Sequence, residues 1–244
     1  MAVTEIICTF ANVKRKNDKT NINDMRIYLR ISPNKVPVPF NYQQKLVGVI
    51  HKWIGNNRIH DSISLYSFSW LNGGKKVDNA LDFSNGATMF ISFHNNDVIK
   101  TIIRSILDNP DMFCGMSVED ITISRYPNLS KRELYYCASP IFIKRTLTDG
   151  NIKQYVFNDS EANSLLKETL DTKMKAAGLE KDETLDIQFD IAYLKKRLKL
   201  INYHGINNKA SLCPVIIKAK EETKRFIWDV GLGNCTGIGF GAVK

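Results

Sequence analysis

Alternating apolar and polar residues mark a strand near the start of the chain. From position 25 the sequence reads MRIYLRI, in which four apolar residues alternate with Arg26, Tyr28 and Arg30. A period of two places one set of side chains on a buried face and the other set on the opposite face. We therefore predict a half-buried strand over residues 25–31.

Two later segments of the first half have the spacing of amphipathic helices. The first covers residues 46–54, with Asn41 and Gln44 as a predicted capping box and Gly55 as its end. The second covers residues 99–107, has isoleucine at helical spacing and halts before a proline. Strands are predicted around these helices over 63–70, 77–83, 88–94 and 121–125.

The second half of the chain repeats this order of elements. Its predicted strands cover 135–144, 185–191, 198–203 and 212–219, and its predicted helices cover 162–177 and 221–230. Each half reads approximately β-α-β-β-α-β, which is the ferredoxin-like or RRM-like unit. We predict an α+β protein with two tandem ferredoxin-like domains, residues 25–126 and residues 133–244. Residues 1–24 form an N-terminal extension of unassigned role.

Composition and charge narrow the class of protein. The chain has 244 residues and a formal net charge of +9, which favours an anionic partner. No apolar stretch approaches the roughly 18 residues that a membrane span needs, so no membrane partner is expected. The five cysteines are widely spaced, which favours reduced thiols over a zinc site or a disulfide framework. We expect a cytoplasmic protein without a metal or cofactor.

The last residues of the chain are unusually rich in glycine. Because a helix precedes this tail, it does not fit a dinucleotide-binding fingerprint, which needs a strand before it. Glycine allows tight turns and lets another backbone or a phosphate come close. Two interpretations stay open, a packed turn that leads into a last strand and a phosphate-binding loop. The glycines concerned are Gly231, Gly233, Gly237, Gly239 and Gly241.

Two of the four histidines lie near the end of the first predicted helix. His51 follows an apolar helical position and His60 lies in the loop beyond. Two imidazoles can cleave RNA without a metal, one taking the proton of a ribose 2′-hydroxyl and the other protonating the leaving 5′-oxygen. The alternative is that both are ordinary, partly exposed histidines. His94 and His204 are interpreted as structural.

The densest basic run lies in the second half and contains Lys195, Lys196 and Arg197. A basic β-hairpin can neutralise nucleic-acid phosphates, with an affinity that falls steeply as salt rises. A solvated, charged hairpin is an equally simple interpretation of the same residues.

Two segments together resemble a known family. The opening MRIYLRISPNKVPVPFNYQQKLVGVIHKWI and the terminal VGLGNCTGIGFGAVK resemble the CRISPR-associated endoribonucleases that process precursor CRISPR RNA, members of the RAMP superfamily. The resemblance covers residues 25–244. It implies binding of CRISPR repeat RNA and one metal-independent cut per repeat by 2′-hydroxyl attack, which leaves a 2′,3′-cyclic phosphate and a 5′-hydroxyl.

The resemblance also implies roles for individual residues. It makes His51 and His60 the catalytic candidates and places RNA contacts on the glycine-rich tail and in the cleft between the domains. Some members carry a lysine shortly after the downstream histidine, where this chain has Ser64; Lys52 is our candidate for transition-state support in its place.

Other members of the superfamily suggest an alternative function. They bind RNA as non-catalytic subunits of CRISPR ribonucleoprotein complexes, so other CRISPR-associated proteins and a second copy of this chain are candidate partners. A weaker third interpretation is a generic RNA-recognition module that stacks bases on Tyr28 and Phe90.

Overall fold

The computed structural model describes residues 25–55, 63–95 and 97–244. Its first half contains seven strands and two helices among these residues. They are β1 (Met25–Ile31), β2 (Val38–Pro39), α1 (Gln43–Ile54), β3 (Tyr66–Phe68), β4 (Lys75–Val77), β5 (Ala80–Asp82), β6 (Ala87–Phe93), α2 (Asp97–Asp108) and β7 (Val118–Arg125).

The main sheet of the first half has four antiparallel strands in the order β3-β6-β1-β7. If only these strands are counted, the order is second, third, first and fourth, which is the ferredoxin-like order. The two helices lie between the first and second strands and between the third and fourth. The predicted ferredoxin-like fold of this half is confirmed.

Strand β1 has the predicted alternation. Ile27, Leu29 and Ile31 are buried in the core that the sheet forms with α1 and α2. The opposite face is not uniformly exposed, because Arg26 is as buried as the isoleucines while Tyr28 is 38% exposed. The second domain covers one end of this face. The alternation within one strand cannot predict a contact of this kind.

Two local predictions for the first half are wrong. Tyr42, not Asn41, occupies the N-cap of α1, and no side chain caps the helix. The predicted strand 77–83 is the hairpin β4–β5, with Asp78 in the left-handed region at φ 49°. Asp and Asn tolerate that region, so the Asp78-Asn79 pair turns the chain instead of extending it.

The second half is built around a smaller sheet. Its elements are β8 (Leu134–Tyr135), β9 (Ile143–Thr146), β10 (Ile152–Tyr155), α3 (Ala162–Ala176), β11 (Asp186–Phe189), β12 (Arg197–Tyr203), β13 (Ile206–Leu212), β14 (Val215–Lys218), α4 (Glu221–Val230) and a 3₁₀ turn (Thr236–Ile238). The sheet order is β11-β14-β8, and Val243 pairs with Cys137 beyond β8. The second ferredoxin-like fold is thereby confirmed, with the hairpins β9–β10 and β12–β13 as insertions.

Two strand predictions in this half join elements that the structure separates. The segment 135–144 is divided at Pro140, between β8 and β9, and the segment 212–219 begins at the end of β13 and continues as β14 after Pro214. Proline has no N–H to give to a sheet, so it interrupts both runs. Among the described residues, no helix is long and apolar enough to cross a membrane.

Candidate functional site

The glycine-rich tail forms a closed loop between the two domains. It starts at Gly231, where α4 ends, and the amide of Leu232 donates to the carbonyl of Gly241 at 2.9 Å. Two further bonds hold it to the chain before β9, from Asn234 to Phe142 at 2.7 Å and from Gly241 to Pro140 at 2.8 Å. The loop is therefore part of the second domain.

Three side chains of the first domain donate hydrogen bonds to carbonyls on the other side of this loop. The Tyr66 hydroxyl reaches Gly237 at 3.1 Å, and the Trp70 indole reaches Gly239 at 2.9 Å. The Gln43 amide, on the first turn of α1, reaches Ile238 at 2.5 Å. The loop thus seals the junction between the domains and contacts the helix that carries His51.

Close packing explains why glycine is needed at these positions. A Cβ at Gly241 would overlap the carbonyl oxygen of Leu232, and one at Gly233 would overlap that of Phe142. At Gly237 it would overlap the Ser64 hydroxyl. The packed-turn interpretation therefore accounts for these glycines. Their predicted contact with RNA remains a prediction for the parts of the loop that face the cleft described next.

A cleft of about 390 Å³ opens beside the loop, between the two domains. One wall is the segment Ile63–Ser64 of the first domain, directly before β3, and another is the loop over residues 233–236. Helix α3 and strand β9 complete the lining with Glu168, Lys173 and Arg145. The cleft therefore combines loop backbone with two basic side chains and one carboxylate.

Lys173 is the most unusual group of this cleft. It is only 4% exposed, and its ammonium donates to the Val230 carbonyl and to the Thr236 hydroxyl, both at 3.1 Å. The first acceptor is the last residue of α4, where the helix dipole favours a cation. Burial nevertheless lowers the pKa of Lys173 to about 7, since the charged form loses its hydration.

Arg145 is held rigidly by protein groups. Its guanidinium donates to the Leu165 carbonyl and to the Thr169 hydroxyl, both at 2.9 Å, and forms an ion pair with Glu168 at 3.1 Å. These bonds tie β9 to α3. Arg145 therefore contributes a fixed positive charge to the cleft, which Glu168 partly compensates.

The two predicted catalytic histidines lie at the end of α1 and in the segment that follows it along the chain. His51 lies in the last turn of α1 and is half-buried. His60 lies outside the described residues. Along the chain it precedes Ile63, which lines the cleft. His94 packs edge-on against Phe226, with ring centres 4.9 Å apart, as its structural interpretation predicts.

The remaining predicted site residues lie apart from the cleft lining. The Lys52 ammonium donates to the Asp111 carbonyl at 2.6 Å and to the Asn109 side chain at 2.9 Å, so it anchors the chain that follows α2. Burial lowers its pKa. The basic run 195–197 lies in the turn before β12 and at its first residue, largely exposed.

Sequence reasoning missed Lys173 and Arg145 as components of this site. Lys173 occupies a position three residues after Leu170 on the apolar stripe of α3, and both are buried. A lysine on the apolar stripe of a helix was the available signal of a buried amine. Arg145 carried no signal of its own, because its role depends on α3 and on Asn234, 89 residues away.

Comparisons with known proteins agree with this architecture. A sequence model of the family described as CRISPR associated protein Cas6, C-terminal, matches residues 124–244. The second domain of this chain is a Cas6 C-terminal domain. A relative that matches across both domains is the CRISPR-associated endoribonuclease-like protein Cas6nc of Pyrococcus horikoshii. It is 25% identical over an alignment of 241 positions, which covers 90% of this chain and 99% of the relative.

Solved structures extend the match to the fold of both domains. A Cas6-related protein from Pyrococcus furiosus superimposes with a TM-score of 0.79 and 22% identity, covering 91% of this chain and 98% of the other. A structure described as a RAMP protein binding different RNA substrates gives 0.77 and 24%, covering 90% and 98%. At these identities the likeness establishes the tandem ferredoxin-like fold.

Proposed function

We propose that this chain is a metal-independent endoribonuclease that binds CRISPR repeat RNA and cuts precursor CRISPR RNA once in each repeat. The observation that carries the proposal is the interdomain cleft. It joins the glycine-rich loop, two cations and the Ile63–Ser64 segment, which follows His60 in the chain. The formal net charge of +9 suits a polyanionic substrate.

The proposed reaction is a transesterification. One imidazole, of His51 or His60, takes the proton of the ribose 2′-hydroxyl, and the 2′-oxygen attacks the adjacent phosphorus. The bond from phosphorus to the 5′-oxygen breaks, and the other imidazole protonates that oxygen. The products are a 2′,3′-cyclic phosphate and a 5′-hydroxyl. Cations at the cleft would stabilise the extra negative charge of the transition state.

The decisive experiment uses a labelled repeat RNA in EDTA, beside the same RNA with one 2′-deoxy substitution at the scission site. Cleavage of the first and not of the second is the expected result. His51→Ala and His60→Ala should each keep RNA binding and lose most cleavage. His204→Ala, at the exposed tip of β12–β13, is the matched control. Wild-type rates in both single variants would overturn the catalytic assignment.

The pH profile of cleavage gives a second test of the two-imidazole mechanism. A base that must be neutral and an acid that must be charged give a bell-shaped rate profile. A sigmoidal profile with one inflection would contradict the pairing of roles.

The second candidate function is a non-catalytic, RNA-binding subunit of a CRISPR ribonucleoprotein. It is favoured by Ser64, which occupies the position where some members of the family carry a lysine. Tight binding of the repeat RNA without cleavage of either substrate would select this function, and His51 and His60 would then be structural.

A further inference from the structure

We propose that Lys173 and the loop residues 233–236 form an anion-binding site on the floor of the interdomain cleft, which takes a phosphodiester oxygen of bound RNA. The identity of the ligand rests on the proposed function. The geometry of the site does not depend on it.

The ammonium of Lys173 has a donor to spare. Its two acceptors, the Val230 carbonyl and the Thr236 hydroxyl, fix the direction of the side chain from α3 towards the loop. A lysine ammonium carries three N–H groups. Within the described part of the chain, the third finds no acceptor, although Lys173 lines the cleft.

The loop supplies backbone donors beside this ammonium. Gly233, Cys235 and Thr236 line the same cleft, and their backbone N–H groups donate to no acceptor among residues 25–55, 63–95 and 97–244. Gly233 and Cys235 both have positive φ, 74° and 62°. The amide of Asn234 is bound to the Phe142 carbonyl, so Cys235 and Thr236 supply the two successive amides. Successive amides in a turn of this kind form concave sites for anions, and phosphate oxygens are their usual ligands.

The charged neighbours do not neutralise Lys173. From β9 the site is faced by Arg145 and Lys144, and from α3 by Glu168, which is paired with Arg145. Burial raises the pKa of the Cys235 thiol, so this group is uncharged at neutral pH. The Ile63–Ser64 wall carries no charge. Lys173 is therefore a buried cation that lacks a carboxylate partner among the described residues.

An anion in the cleft would supply that partner. In the free protein the pKa of Lys173 is lowered to about 7, so at pH 8 the neutral amine predominates. A phosphate oxygen at the third donor favours the ammonium and raises the pKa again. Binding at pH 8 should therefore take up about one proton, and the affinity should fall as pH rises above 7, by up to about tenfold per pH unit.

The experiment measures RNA binding by calorimetry at pH 8, in buffers of different ionisation enthalpy, with the 2′-deoxy repeat RNA as an uncleavable probe. The wild type should take up about one proton more than Lys173→Met, which should bind at least about tenfold more weakly at pH 6.5 because a charge-assisted hydrogen bond is lost. The control is Lys175→Met, which removes the same charge from an exposed position of α3 and should retain the proton uptake.

Two further variants keep the inference falsifiable. Lys173→Arg retains the charge but stays protonated at all accessible pH values, so it should bind RNA without the Lys173 proton uptake. It also carries the test if the methionine variant does not fold. His51→Ala should retain the uptake. Loss of the uptake in His51→Ala, with retention in Lys173→Arg, would assign the proton to an imidazole and overturn the site.

Failure of this inference is distinguishable from failure of the proposed function. A wild-type protein that does not bind the repeat RNA contradicts the proposed function. A wild type that binds with the same proton uptake and affinity as Lys173→Met contradicts the anion site alone, and RNA processing stands.

Discussion

The guanidinium carbon of Arg26 lies 3.9 Å from the ring centre of Trp228, and one of its nitrogens donates to the Trp228 carbonyl at 2.5 Å. Arg26 is on β1 of the first domain, and Trp228 is on α4 of the second. On its other side the guanidinium lies 3.8 Å from the ring centre of Phe90, so it is stacked between two aromatic rings. This contact joins β1 of the first domain to α4 of the second.

Two further donors of Arg26 are also used. They reach the Ser92 hydroxyl at 2.7 Å and the Val243 carbonyl at 3.0 Å, so three elements of the chain meet at one side chain. Arg26 is 1% exposed, and burial lowers its pKa to about 10, which leaves it charged at neutral pH.

We expect Arg26→Met to lower the free energy of unfolding by about 3 kcal/mol, because two buried carbonyls lose their donor and two ring faces lose their cation. Urea denaturation followed by tryptophan fluorescence measures this loss. The control is Arg30→Met, on the same strand, where the ion pair to Glu119 is exposed and should contribute less than about 1 kcal/mol. Equal losses in the two variants would contradict the role of Arg26.

Gly241 and Gly150 both have positive φ, 69° and 83°, but differ in their surroundings. A Cβ at Gly150 meets no atom within 4 Å, whereas one at Gly241 would overlap the Leu232 carbonyl. We expect Gly150→Ala to lower the free energy of unfolding by about 1 kcal/mol, because alanine is strained in the left-handed backbone conformation. Gly241→Ala should lower the free energy of unfolding by about 3 kcal/mol or more, because the loop must also move to relieve the overlap with the Leu232 carbonyl. Thermal unfolding of the two variants measures the difference, and a smaller loss at Gly241 would show that the loop adapts easily.

Asp182 should make the stability depend on pH in the acid range. Although burial raises the pKa of this 1% exposed carboxyl group, four hydrogen bonds outweigh it and lower the pKa to about 2. The donors are the hydroxyls of Thr184 and Thr223 and the amides of Thr184 and Lys220. In the unfolded chain an aspartate has a pKa of about 3.9.

The lowered pKa means that the stabilisation is complete above about pH 5 and is lost as pH falls through the folded-state pKa near 2, by about 2 to 3 kcal/mol in total. Asp182→Asn should therefore be less stable than the wild type at pH 7 and show a flatter stability curve between pH 4 and 2. Urea denaturation across this range provides the measurement. Parallel curves for the two proteins would show that Asp182 is not the titrating group.

Lys52 should contribute to stability through the chain that follows α2. Lys52→Met removes the hydrogen bonds to Asp111 and Asn109. It should lower the free energy of unfolding by about 1 kcal/mol, because water must then replace the lysine as the donor to both acceptors. Lys45→Met, an exposed lysine on the same helix, is the control and should change it little. Urea denaturation of both variants makes the comparison. An unaffected Lys52→Met would leave the side chain available for the predicted role in transition-state support.

The predictions of secondary structure were most reliable where apolar residues recur at one regular spacing along the chain. The alternation in β1 and the isoleucine spacing of α2 predicted their elements, because side-chain direction repeats within a few residues. Predictions failed where a single residue interrupts a run, as Pro214 does between β13 and β14. The candidate site was only partly visible, since the place of Lys173 on the apolar stripe of α3 indicates burial but does not show which groups of the second domain surround its ammonium.

The sequence by itself determined the order of strands and helices and the repetition that makes two ferredoxin-like domains, because periodicity and turn residues act over short stretches of chain. The tertiary structure alone decided that Arg26 would be buried, that the glycines would be packed against carbonyls, and that Lys173 would lie in a cleft. These outcomes depend on partners up to 217 residues away in the chain, such as Val243 for Arg26. Contacts of that separation arise only when the two domains close on each other.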